Sequence, residues 1–306
     1  MVSEFPRLAA LESKLTAYRP QAQHDAPPLH VAGGEPLVWG RRTYVMGVIN
    51  LAPDSFSGDG LEGDVSAAVE QARRMEADGA DMLDVGAEST RPGSTPVSAS
   101  AEAARLLPAL EAICRAVAIP VSVDTYKAPV ARQAIVAGAS LVNDVWGLLA
   151  DGNMARVIAA AGVPAILMHN QREAQYEDLV PDVITGLRRI AEIARAAGVA
   201  EHNVILDPGI GFGKTADHNL ELLRRMPELQ ELGYPLLLGV SRKSTIGRVL
   251  RLPADDRVEG TAAAVAMSIA GGADIVRVHD VKQMVRVARM TDAIVRDWRP
   301  DGWSNR

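Results

Sequence analysis

Eight short runs rich in aliphatic and β-branched residues recur along the chain, each followed by a segment of helical period, and this alternation limits the fold more than any other feature. The runs are TYVMGVI, ADMLDV, IPVSVD, ASLVND, VPAILM, NVILD, YPLLLGV and ADIVRV. Helical spacing falls on 65–77, 101–117, 129–137, 154–161, 181–197, 219–226, 260–270 and 281–295. Strands that alternate with helices form parallel βα units, because each helix carries the chain back along the sheet. Several helical stretches end in Gly followed by Ala or Val, as in ADGAD, VAGAS and AAGVP, the pattern of a helix C-terminus feeding a strand. Eight units with no strand left over predict an α/β chain closed into a single-domain (β/α)8 or TIM barrel. Periodicity alone does not demonstrate closure, so an open doubly wound sheet is the competing architecture.

Residues 1–40 lack this pattern. A short amphipathic stretch near Leu8–Leu15 is followed by a segment holding Pro20, Pro27, Pro28 and Pro36, which reads as an N-terminal extension ending in a strand pair. Residues 41–306 then form the barrel. With 48% hydrophobic but only 4% aromatic residues, the composition suits helices over buried parallel strands better than a β-sandwich. A net charge of -6 with no Lys/Arg run excludes nucleic acid as the main partner. Cys114, the single cysteine, lies at helical spacing with Leu106, Leu110, Ile113 and Val117 and reads as a small buried residue. No segment has the length of a membrane span or the apolar core of a signal peptide, which predicts a soluble cytoplasmic protein with no membrane partner.

In a barrel the loops after the strands surround one cavity, so reactive groups gather there. The residues at those ends are Asn50, the GAESTRPG segment from Gly86, Asp124, Asn143 with Asp144, His169 with Asn170, Asp207, the SRKS segment from Ser241, and Arg277 with His279. Loop polarity alone accounts for some of them. It does not account for Asp124, Asp207, Arg277 and His279, which abut or interrupt apolar runs where an unpaired charge is expensive. Asp124, Asn143 and Asp207 can take hydrogen bonds from the N–H edge of a flat heterocycle. Lys243 and Arg277 add positive charge, and a guanidinium also stacks on rings. Asn50 offers a neutral oxygen, a common choice where Mg2+ is held chiefly by substrate phosphates. The set points to an electron-poor bicyclic base bearing a phosphorylated group.

Other readings of the same residues carry less. DPGIGFGKT ends like a phosphate-binding P-loop, but Pro208 stands at the first glycine position and has no N–H to give. Its glycines suit a tight strand-to-helix turn instead. A desolvated Lys243 suggests Schiff-base chemistry, against the plainer reading of Lys243 and Arg242 as salt-bridge partners. His24, His30, His202 and His218 lie away from strand ends and read as solvated or capping residues, His169 as a packing and hydrogen-bonding one. No Cys/His spacing supports zinc.

YVMGVINLAPDSFSGDG, ADMLDVGAESTRPG, VSVDTYKAPVARQAIVAGASLVNDV, AILMHN, VILDPGIGFGKT, LLLGVSRKS and ADIVRVHDV resemble, in order, the strand-loop motifs of the dihydropteroate synthase family, over 44–295. The resemblance implies that the amine of p-aminobenzoate displaces pyrophosphate from 6-hydroxymethyl-7,8-dihydropterin pyrophosphate, giving 7,8-dihydropteroate in folate synthesis. It implies Asp207 and Asn143 at the pterin amino edge, Asp124 at the reduced ring and Lys243 near N5 and the 4-oxo group. Arg277 would stack on the pterin and reach the pyrophosphate with His279. Asn50 would bind Mg2+. Ser244 would hold the p-aminobenzoate carboxylate, Thr90, Arg91 and Pro92 would line its site, and Met168, Gly211 and Phe212 would wall the pocket. Asp124, Lys243, Arg277 and His279 carry the chemistry on this reading, and a homodimer is implied.

The motif departs from the family at Ala52, where Thr is usual, at the order Ser57-Gly58-Asp59-Gly60, and at Thr245, where an aromatic is common. These positions bear on loop closure, turnover and any response to sulfonamides. A pterin-binding methyltransferase, which shares the barrel and the acidic pterin recognition, and a weakly catalytic pterin-binding paralogue are the alternatives.

Overall fold

The computed structural model describes residues 26–304 apart from 33, 53–60, 62, 63 and 90–94. The stretch near Leu8–Leu15, the first-loop segment PDSFSGDG, and Thr90, Arg91 and Pro92 lie outside the described residues. All eight β-rich runs form strands: β1 Tyr44–Asn50, β2 Met82–Gly86, β3 Val121–Asp124, β4 Leu141–Asp144, β5 Ala165–Met168, β6 Val204–Asp207, β7 Leu237–Leu238 and β8 Ile275–Val278. Their order is β6-β5-β4-β3-β2-β1-β8-β7, with parallel pairing throughout. A parallel bridge between Leu206 and Leu236 joins the two ends of that order. The sheet therefore closes, which excludes the open doubly wound arrangement.

The helices alternate with the strands as α1 Val65–Ala77, α2 Ala99–Ala116, α3 Ala128–Val136, α4 Met154–Ala161, α5 Leu179–Ala196, α6 Ala216–Arg224, α7 Ser244–Leu250, α8 Val258–Ala270 and α9 Val281–Val295. The starts of α1 and α2 carry side-chain caps: Asp64 accepts from the Ala67 N–H at 3.1 Å, and Ser98 from the Ala101 N–H at 3.2 Å. His218 serves as a cap, its ring joining Thr215 in a reciprocal capping box. Gly162 ends α4 in the left-handed region at φ 66°, where a side chain would be strained. Helix α7 is an addition to the sequence expectation. No described helix is long and apolar enough to cross a membrane.

Two apolar layers hold the barrel. Outward-facing strand residues such as Val45, Ile49, Leu83, Val85, Val123 and Val142 pack against the helices. Inward-facing Tyr44, Met46, Met82, Leu141, Ile166, Ile205, Leu237 and Ile275 form a second cluster inside the N-terminal half of the barrel. Leu29, Val31, Leu37 and Trp39 complete that cluster from below. Leu29 and Leu37 pair antiparallel through two backbone hydrogen bonds of 2.9 Å, and Trp39 meets Tyr44 edge-on at 6.0 Å. This short segment is the floor of the barrel, and each of its buried side chains contributes about 1.5–3 kcal/mol. With that end filled by carbon, the opposite end is the one open to a ligand.

Candidate active site

Side chains alternate in and out along a strand, so the residue two places after an inward one also points inward. Met82, Leu141, Ile166, Ile205 and Ile275 face the barrel interior. The same stride takes Asp84, Asn143, Met168, Asp207 and Arg277 inward one layer higher. On β3, Ser122 lies opposite Asp84 and Asp124 opposite Gly86. Strand geometry thus stacks a polar layer directly on an apolar one. Gly86 gives Asp124 its room, because a Cβ there would stand 3.2 Å from the Asp124 Cβ.

Arg277 is the hub of this layer. Its Nε donates to Asp84 Oδ2 at 2.6 Å and its Nη2 to Asp124 Oδ2 at 2.8 Å. The Asn143 Nδ2 donates to the same Asp84 oxygen at 2.9 Å. Asp84 Oδ1, Ser122 Oγ and Asp124 Oδ1 are buried without a hydrogen-bond partner. Unpaired buried acceptors are costly, and three together mark a place shaped for a hydrogen-bonding ligand or water. Burial, then the neighbouring Asp84 charge, pushes the Asp124 carboxyl up to about 7 against the pull of Arg277.

Asp207 faces the layer from β6. Its Oδ1 accepts from the Gly209 N–H at 2.7 Å, and burial pushes its carboxyl up to about 6. The following loop turns tightly, with Gly209 at φ 75°, and a Cβ on Gly209 would lie 2.0 Å from the His169 carbonyl oxygen. Glycine is required there by backbone approach, in keeping with a tight turn rather than a P-loop. Gly211, at φ 83°, lies against the Lys243 stem, and the Lys243 ammonium sits 4.2 Å from the Phe212 ring centroid. Lys214 Nζ lies 3.1 Å from both His169 Nδ1 and the Phe212 carbonyl oxygen. Burial lowers Lys214 to about 7, and burial with the Lys214 charge lowers His169 to about 3, so this histidine is a neutral packing partner.

On the β7 and β8 side, Ser241 Oγ lies 2.9 Å from His279 Nδ1 and accepts the His279 backbone N–H at 3.2 Å. Arg242 is paired with Asp280. Ser244 is exposed at the first position of α7, and Thr245 is buried, its Oγ1 accepting from Asn219 Nδ2 at 3.0 Å. Asn50 ends β1 half-buried, its Oδ1 accepting from the Ala52 N–H at 2.9 Å. No group of three or more His, Cys, Asp or Glu among the described residues could hold a metal by itself. Asp124, Asn143 and Arg277 thus meet in one layer, while Thr90, Arg91 and Pro92 lie outside the described residues. Strand-end reasoning missed Asp84, which sits in mid-strand; the inward stride from Met82 would have found it.

A closed eight-stranded barrel with this acid-lined, guanidinium-bearing mouth defines a pterin-binding enzyme, and the family model described as "Pterin binding enzyme" matches residues 46–279. The dihydropteroate synthase of Clostridium beijerinckii is 51% identical over 258 residues, spanning 84% of this chain and 96% of that one. Among solved structures, the dihydropteroate synthase from Clostridium difficile in the presence of pteroic acid is 46% identical with a TM-score of 0.81, covering 84% of this chain and 98% of its own. The Xanthomonas albilineans dihydropteroate synthase with 4-aminobenzoic acid is 39% identical, also with a TM-score of 0.81, covering 88% and 98%. The chain belongs to the dihydropteroate synthase family and is a transferase.

Proposed function

We propose that the polar layer above the barrel floor binds 6-hydroxymethyl-7,8-dihydropterin pyrophosphate, with Asp207 and Asn143 at the amino edge of the ring. Asp124 faces the reduced ring, Lys243 lies near N5 and the 4-oxo group, and Met168, Gly211 and Phe212 wall the pocket. The observation that carries this reading is the convergence of Asp84, Asp124, Asn143 and Arg277 through direct hydrogen bonds, with buried acceptors left over. A flat ring rich in N–H groups supplies the donors those acceptors lack.

The chemistry follows from the charges. As the bond from the pterin methylene to pyrophosphate oxygen breaks, the electron pair leaves with pyrophosphate and the ring becomes cationic. An ionised Asp124 stabilises that cation, while Arg277 and His279 receive the departing anion. The p-aminobenzoate amine then attacks the methylene carbon through its lone pair and passes a proton to the released pyrophosphate or to water. Ser244, at the start of α7, holds the p-aminobenzoate carboxylate, and Thr90, Arg91 and Pro92 complete its site. No protein nucleophile takes part, which leaves Lys243 a binding role.

Mg2+ fits the donor set. Asn50 Oδ1 retains a lone pair beside its bond to the Ala52 N–H, and a single neutral protein oxygen suits an ion held mainly by diphosphate oxygens. Bound there, it would neutralise charge on the leaving group. The outer surface supports a homodimer. Leu220, Val249, Leu250 and Met267 are exposed along an apolar groove of about 320 Å3 bordered by α6, α7 and α8. Sedimentation at micromolar concentration should give twice the chain mass, and a monomer there would reject the pairing.

The decisive assay is pyrophosphate release that requires p-aminobenzoate. Release with both substrates and Mg2+, and much slower release without the arylamine, supports the reading. Pterin binding with no release would select the weakly catalytic paralogue.

A further inference from the structure

Asp84 has no place in the roles just assigned, yet it is hydrogen-bonded to both Arg277 and Asn143. It stands in the middle of β2, fully buried. Its backbone neighbours across the sheet are Val48 on β1 and Ser122 on β3. Its hydrogen-bond partners are neither of these. They come from one strand further on each side, Arg277 from β8 and Asn143 from β4. The inward curvature of the barrel brings those strands within reach, and the small Ser122 leaves the path to Asn143 open. One carboxylate oxygen thus links opposite arcs of the mouth.

Two consequences follow from donor and acceptor chemistry. An ionised carboxylate only accepts, so the Asn143 arm turned towards Asp84 must be Nδ2, and the carbonyl oxygen must lie on the other arm of the amide. Without that restraint an amide can present either end at nearly equal cost. In Arg277, Asp84 and Asp124 together take Nε and Nη2, which sets the plane of the guanidinium and leaves Nη1 outside that paired edge. Without such anchors a guanidinium is free to turn about its stem.

We infer that Asp84 is a positioning residue that sets the amide sense of Asn143 and the plane of Arg277 at once, so that ring recognition and leaving-group binding are held by a single carboxylate. This rests on the pterin reading of the site. The ring arm gains an acceptor of fixed orientation for a substrate N–H, and the pyrophosphate arm gains a cation held in place before substrate arrives. Preorganisation of this kind lowers the ordering cost at the moment of binding.

Calorimetry with two probes separates the arms: 6-hydroxymethyl-7,8-dihydropterin reports ring binding, and the ratio of its affinity to that of the pyrophosphate form reports the leaving-group increment. In Asp84→Ala, which removes the oxygen that both donors share, both should fall, each by about tenfold or more. Asp84→Asn can still turn its amide oxygen to Asn143 Nδ2 and Arg277 Nε, so it should recover ring affinity while the pyrophosphate increment stays low, because Arg277 lacks its anion. A purely structural Asp84 would lower the melting temperature without changing either affinity in the folded protein, and that result overturns the inference. Ring affinity as low in Asp84→Asn as in Asp84→Ala overturns it too. Should Asp84→Ala fail to fold, Asp84→Asn is compared with wild type: kept ring affinity with a lowered pyrophosphate increment supports the inference, and an unchanged increment overturns it. A wild-type chain that binds neither probe refutes the pterin reading itself, a failure distinct from both.

Discussion

Arg242 and Asp280 form a two-pronged ion pair, Nε to Oδ2 at 3.0 Å and Nη2 to Oδ1 at 2.6 Å, that ties the loop carrying Lys243 to the turn carrying His279. Arg242 adopts a left-handed backbone at φ 55°, which a non-glycine residue holds only when its surroundings impose it. Arg257 braces the same loop, donating Nη1 to the Arg242 carbonyl at 2.9 Å. Arg242→Lys keeps the charge and loses the fork, so Lys243 and His279 lose their common anchor. The expected outcome is a fall in kcat/KM of about tenfold, from the charge-assisted hydrogen bond lost, with a melting temperature close to that of wild type. An unchanged kcat/KM would remove Arg242 from the machinery.

Asp207 is buried, and burial rather than a partner charge is the main reason its carboxyl rises to about 6. On the proposed pterin reading, that cost persists in the fold because the group serves a ligand. Asp207→Ala should abolish detectable pterin binding, a loss of about a hundredfold or more for charge-assisted hydrogen bonds worth about 1.5–3 kcal/mol each. Thermal stability should hold, since an expensive buried acid has been removed. Retained pterin affinity by calorimetry would contradict the assignment of the ring edge.

Arg277→Lys keeps a cation at the hub but cannot span Asp84 and Asp124, which take two separate nitrogens of the guanidinium. Turnover should fall by about a hundredfold, the size expected for losing one preorganised group facing developing charge. Steady-state kinetics with saturating p-aminobenzoate would show it, and an unaltered kcat would exclude the role.

Asp124 makes pH dependence a direct test. Its carboxyl lies near 7 in the ligand-free fold, and only its ionised form stabilises a cationic ring. The acidic limb of kcat/KM should therefore have a midpoint near pH 7. The effect on stability runs the other way. A carboxyl raised from 3.8 to about 7 makes ionisation cost stability, a cost absent below pH 4, growing between the two values and complete above pH 7. Asp124→Asn should then raise the melting temperature at pH 8 and leave it unchanged at pH 4. Scanning calorimetry at both values would check the sign.

The sequence made the barrel legible because each βα unit states itself locally: a short β-rich run, an Ala-rich helical period and a glycine between them. Val65–Ala77, Met154–Ala161 and Val281–Val295 have the boundaries that periodicity assigns. Closure needed the Leu206–Leu236 bridge, a contact between residues 30 apart that no local pattern contains. Helix α7 escaped notice because seven residues, with Gly247 among them, span too few turns to establish a period. The site was legible where charge meets an apolar run, as at Asp124, Asp207 and Arg277. Asp84 was passed over for a physical reason: its partners lie two strands away on either side, and its significance is a property of the curved interior rather than of ADMLDV.

The floor of the barrel yields a test that separates folding from chemistry. Leu29 is completely buried in the inner cluster with Leu37, Trp39, Met46 and Met82, at the strand ends remote from the polar layer. Leu29→Ala removes carbon from a packed site whose other walls belong to β1, β2 and the neighbouring strands, which cannot all move inward to fill the space. The loss should be about 2–5 kcal/mol. Because the apolar layer lies between this position and Arg277, the hydrogen bonds of the mouth remain in place while the protein is folded. Denaturant unfolding should show a lower midpoint, and pyrophosphate release at 25 °C should keep its wild-type KM for both substrates. A raised KM for the pterin substrate would mean that the floor sets the geometry of the mouth as well as its stability.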